Sequence, residues 1–223
     1  MASSWLRKVF RLIAATGTCA VSVTAASAQA YSERTALTCL QIDAESAYTQ
    51  LEALGWQRIA PAELSIAEKQ VFGTNYFLGA AKGAQRGSEH TPSLKQSVKI
   101  SENRVEQEIS CLVKGSSVLG GAFYKSPETQ TYLKIQTKRV GRFAQTYCTF
   151  FLSGEAADNI SRHETKYPYI EQIGYWDHHA DGLSRSVYQY VLNAEGIGEI
   201  TGQPFPVDAI IAASMTQQNA EKE

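Results

Sequence analysis

Asp177, His178, His179 and Asp181 bring two imidazoles and two carboxylates together within five residues. Side chains of these types bind zinc or a similar ion when three or four converge on one point. Successive residues of a strand point to opposite faces, so His178 and His179 cannot both serve one ion from regular β structure. The chain has no Asp-x-Asp-x-Asp-Gly calcium loop and no His-Glu-x-x-His pair. The run is therefore read as a polar turn with no metal. Asp177, His178, His179 and Asp181 are kept as the alternative, a metal-assisted hydrolytic site.

Other chemistry-bearing groups are more scattered. Glu89 adjoins His90 and His163 adjoins Glu164, but adjacent residues do not share a face of a helix or strand, so both pairs read as surface. No Gly-x-Ser-x-Gly elbow is present. The segment 115–121 is Gly-rich without a following Gly-Lys-Ser/Thr, which excludes a phosphate loop. Lys134, Lys138, Arg139 and Arg142 gather around one expected hairpin turn. They read as charge that guards a sheet edge, with contact to an anionic partner as the functional alternative. No cofactor is implied.

Tyrosine carries the stronger signal, with eight of the eleven lying beyond residue 120. Tyr169, Tyr175, Trp176, Tyr188 and Tyr190 concentrate in one segment. Aromatic rings with a polar tip suit interfaces and ligand grooves, so these five are the expected binding surface.

The N-terminus bears on compartment. Arg7, Lys8 and Arg11 precede an uncharged, Ala-rich run from Leu12 to Ala26, followed by Ala26-Ser27-Ala28 and Ala28-Gln29-Ala30. This is the layout of a signal peptide over residues 1–30, cleaved to leave 31–223 as a single domain in the periplasm or outside the cell. Removing it moves the formal net charge from −1 to −4, poor ground for nucleic-acid binding. No apolar run in the mature chain is long enough for a transmembrane segment. Cys39, Cys111 and Cys148 remain. An oxidising compartment allows one disulfide and a leftover thiol. Cys111–Cys148 is the expected pair, since both lie in strand-like segments; Cys39–Cys148 is second, and three buried thiols are the alternative.

Local patterns supply the framework that must position these groups. Helices are expected over 43–54, behind Asp43, and from Ser65, where Ser65 and Glu68 form a capping box, to about Gly83. Alternation suggests strands at 94–100 and 105–113, and a further short strand at Ala122-Phe123-Tyr124. Thr131–Thr137 and Phe143–Leu152 form the best hairpin, with Phe143–Leu152 near the middle of the sheet. A second hairpin runs from Ile170–Trp176 to Ser186–Leu192. Asn193–Gly196 reads as a turn and 207–215 as a short terminal helix. The expected fold is α+β, an N-terminal helical pair packed on an antiparallel β-sheet after a cleaved signal peptide. The expected function is non-catalytic binding in the envelope, of an unidentified envelope protein or small ligand.

Overall fold

The computed structural model describes Thr38, Cys39 and residues 44–84, 93–115, 119–126, 131–140, 143–161, 169–180 and 182–218. The proposed leader, Asp43, the two acid–histidine pairs, Arg142 and Asp181 lie outside the described residues.

Among the described residues, seven strands form one antiparallel sheet, and helices complete a mixed α+β fold. The strands are β1 (Gln57–Ile59), β2 (Leu119–Lys125), β3 (Thr131–Val140), β4 (Phe143–Leu152), β5 (Ile170–Ala180), β6 (Leu183–Leu192) and β7 (Ala209–Gln218). Their order is β1-β2-β3-β4-β7-β6-β5, which puts β4 at the centre as its composition implies. The helices described include α1 (Ala44–Ala53), α2 (Ile66–Ala84), α3 (Leu94–Val113), α4 (Asp158–Ser161) and α5 (Ala194–Thr201).

Local chemistry fixes the helix ends. Ser65 and Glu68 exchange the expected bonds: Ser65 N–H donates to Glu68 Oε2 at 2.9 Å, and Glu68 N–H donates to Ser65 Oγ at 3.3 Å. Ser93 and Gln96 repeat the device at the start of α3. Asn193 caps α5 by accepting from Gly196 N–H at 2.9 Å, so the predicted turn is a helix start.

Period 2 in β4 sends Cys148 and Phe150 to one face of the sheet and Thr149 and Phe151 to the other. Phe72 of α2 meets Phe123, Tyr132 and Phe151, with ring centroids 4.7, 5.7 and 5.6 Å away. It is fully enclosed; truncating such a ring costs on the order of 3–5 kcal/mol. Helices α2 and α3 run antiparallel, as the Lys69–Glu106 pair and the approach of Gly73 to Ser101 require. On the opposite face, Tyr48 of α1 lies 6.3 Å from Tyr124, and Trp56 lies 6.3 Å from Phe150.

Three further expectations are corrected. The predicted strands at 94–100 and 105–113 are one helix, α3. Its buried positions are Leu94, Ser97, Ser101, Val105, Glu108 and Ile109, a helical spacing that includes polar residues. Ile100, which supported the alternating pattern, is exposed. The predicted terminal helix at 207–215 is strand β7, seated between β4 and β6; only its start, Ala209 to Ile211, is buried on both faces and reads as a continuous apolar run. The disulfide joins Cys39 to Cys148, with Cα atoms 6.1 Å apart, and not Cys111 to Cys148. Cys111 lies on the solvent side of α3 and is a free thiol.

Candidate functional site

Strands β5 and β6 pair from Ile170↔Leu192 to Ala180↔Leu183, with the register shifted between Gln172 and Gly174. That β-bulge places one extra residue, Ile173, in β5. Beyond it, Tyr175, Asp177 and His179 stand opposite Tyr188, Ser186 and Ser184. The bulge thus turns Tyr175 onto the face that carries Tyr188 and Tyr190, the face α2 and α3 cover further across the sheet.

The result is a ladder of phenol rings. Tyr175 and Tyr188 have centroids 4.9 Å apart. Tyr188 and Tyr190 are 6.3 Å apart with planes within 11°. Tyr190 forms the buried end, where Lys82 Nζ lies 2.7 Å from its hydroxyl and 4.0 Å from its ring centre. Burial, and then Tyr188, push the Tyr190 hydroxyl's pKa up. Tyr175 is the open end, 53% exposed.

Polar groups flank that open end. Tyr175 donates its hydroxyl hydrogen to Asp177 Oδ2 at 2.6 Å, and His179 Nε2 lies 3.1 Å from Asp177 Oδ1. The bond to Asp177 is the main cause that pushes the Tyr175 phenol up to about 12. The same bond holds the Asp177 carboxyl below its usual range, with His179 adding to it. Ser186 and Ser214 share a hydroxyl contact of 2.7 Å. Tyr147, on β4, donates to Gln145 Oε1 at 2.9 Å and is also exposed.

The five predicted aromatic residues therefore divide. Tyr175, Tyr188 and Tyr190 come together. Trp176 occupies the other face, stacked on His178 at 6.0 Å. Tyr169 packs against the core. The predicted ligand set divides in the same way: Asp177 and His179 share a face, His178 points away, and Asp181 lies outside the described residues. Among the described residues, no three His, Cys, Asp or Glu side chains gather as a metal site would need. Sequence reasoning missed Tyr147, Ser186 and Ser214, which only the strand order brings beside the ladder.

Two other features compete for attention. Lys134, read as surface charge, is buried under α3 and paired with Glu108 at 3.1 Å. Tyr76 donates to the same carboxylate at 2.8 Å, and Gln136 also donates to it. With these three donors on it, the carboxylate is only 3% exposed and closed to a ligand from solvent. Burial lowers the Lys134 pKa, opposed by Glu108. Burial first, then Glu108, raises the Tyr76 phenol. A cleft of about 260 Å³ runs between α2, α3 and the segment 203–206, lined by Phe77, Val98, Val105 and Phe205. Its hydroxyls are spent on backbone carbonyls: Thr74 donates to Gln70 and Ser101 to Val98. The charged groups on its rim, Lys69 and Glu106, are paired with each other at 2.9 Å.

No family model, curated protein or solved structure matches the chain.

Proposed function

We propose that this is an exported, non-catalytic binding protein, acting in the periplasm or outside the cell on a small ligand or an envelope protein. In this reading residues 1–30 are removed on export, and the N-terminal helices of the mature α+β domain serve as its scaffold. The Cys39–Cys148 disulfide suits an oxidising compartment. Among the described residues no helix is long and apolar enough to cross a membrane.

The carrying observation is the open end of the ladder, where Tyr175 is exposed beside Asp177 and the half-buried Tyr188. Exposed aromatic rings held rigid by a sheet bind at low entropic cost. Among the described residues the Asp177–His179 pair lies exposed on an edge hairpin, which suits recognition better than catalysis.

Native mass spectrometry of the mature protein, purified from the envelope fraction without added metal or chelator, tests the reading. The expected result is a species heavier than the bare chain that disappears in Tyr175→Ala and Tyr188→Ala. A bare chain for wild type, or an added mass that both variants retain, would overturn it.

A further inference from the structure

We propose that the tyrosine face of β5 and β6 binds the pyranose rings of a neutral glycan. The inference rests on the binding reading above and names the ligand class for that site.

Sheet register supplies the shape. Tyr147 pairs with Ser214 on β7, Ser214 with Ser186 on β6, and Ser186 with Asp177 on β5. One row along, Ala212 stands between Thr149 and the Tyr188–Tyr175 pair. Short side chains thus separate Tyr147 from the ladder by two strand spacings, about 10 Å. All of these residues are at least partly open to solvent except Thr149. Between the phenol rings lies a floor of hydroxyl and methyl groups wide enough for a six-membered ring.

The chemistry matches a sugar. A pyranose presents C–H groups on its faces and hydroxyls around its rim. Tyr147 and Tyr175 offer exposed ring faces for the first. Ser186, Ser214, Gln145 and the Asp177 carboxylate offer acceptors and donors for the second. Asp177, already ionised and held so by Tyr175 and His179, accepts from hydroxyls and repels anions. That argues against a phosphate or an acidic headgroup. Lys82 is engaged with Tyr190 at the buried end of the ladder, and the exposed Lys138 stands opposite Gln145, beyond Tyr147 from Asp177. A protein partner would call for a well-packed aromatic or apolar anchor at the centre of the patch, and between Tyr147 and Asp177 the floor carries Ser214 and Ser186.

The test is saturation-transfer NMR and titration calorimetry on the mature, oxidised protein. The probes are glucose, galactose, mannose and N-acetylglucosamine tetrasaccharides. The expected result is transfer to ring C–H protons of at least one series. Tyr175→Ala and Tyr188→Ala should each weaken that binding about tenfold or more, and Tyr175→Phe should retain it. Trp176→Ala, on the other face, should leave it unchanged. Melting curves establish that each variant is folded, and the exposed Tyr147→Ala provides a further binding variant should Tyr188→Ala fail to fold. Binding unaffected by the tyrosine variants overturns the inference, as does silence from all four series. If all four are silent while the envelope-purified protein carries a ladder-dependent added mass, the ligand is of another class and the binding reading stands. If both measurements are silent, both proposals fall.

Discussion

Replacing Glu108 by Ala removes a carboxylate that accepts from three donors beneath α3. Lys134, its ionic partner at 3.1 Å, has a side chain with no solvent exposure, and Glu108 itself is only 3% exposed. Breaking a pair buried this deeply strands a charge, which costs about 3–5 kcal/mol. Tyr76 and Gln136 also lose their acceptor, at roughly 1–3 kcal/mol for each donor that water cannot reach. The expected loss for Glu108→Ala is therefore about 4 kcal/mol or somewhat more. In a domain of this size that lowers the melting temperature by roughly 8–16 °C. Replacing both partners by apolar residues, as in Glu108→Leu with Lys134→Met, removes the stranded charge and should recover much of the loss. Urea unfolding followed by far-ultraviolet circular dichroism, with the disulfide intact, measures Glu108→Ala and the four corners of the cycle: wild type, Glu108→Leu, Lys134→Met and their double. A Glu108→Ala penalty below about 1 kcal/mol, or a double variant whose loss equals the sum of the singles, would refute the reasoning.

Intact mass of the mature protein after alkylation without reduction should show one adduct, at Cys111; three adducts would rule out the Cys39–Cys148 bond. Cys148→Ser should lower stability by about 2–5 kcal/mol, because the bond closes a long loop, whereas Cys111→Ser should fall within about 0.5 kcal/mol of wild type. The phenol of Tyr175, raised to about 12 by its bond to Asp177, should titrate closer to 10 in Asp177→Asn, read by NMR of the ring carbons. A raised phenol pKa stabilises the fold fully below pH 10 and loses that contribution as pH climbs through 12. The Asp177 contribution has the opposite sense: it is present above pH 3.8 and fades as pH falls through the depressed folded value.

Much of the scaffold was legible because its signals are local. The Ser65–Glu68 box, the uncharged run of β4 and its hairpin with β3 need only neighbours in sequence. The failures came where tertiary context decides. Val98 and Ile100 suggested a strand, but Ile100 lies on the exposed side of α3 while its core positions carry Ser97, Ser101 and Glu108. Ala209 to Met215 suggested a helix, yet its small side chains fit a strand enclosed between β4 and β6. A strand at 105–113 would set Cys111 within reach of Cys148; as part of α3 it faces solvent, and Cys148 bonds Cys39. Lys134 looked like surface charge because its partner Glu108 lies 26 residues away in sequence.

The candidate site was legible in residue type but not in arrangement. Strict alternation along β5 would set Gln172, Gly174 and Trp176 on one face and leave Tyr175 opposite the face of Tyr190. The bulge at Ile173 reverses that parity and assembles the ladder. A bulge of this kind has no reliable sequence signature beyond the glycine that follows it. Tyr147, Ser186 and Ser214 join the site only through the order β4-β7-β6.

Amide hydrogen exchange of the mature protein, alone and with envelope extract, tests the central claim most directly. Ligand binding at the ladder predicts slowed exchange confined to β5, β6, the Ala212–Thr216 part of β7 and the Phe143–Tyr147 end of β4. Protection centred instead on α2, α3 and residues 203–206, or none at all, would contradict it.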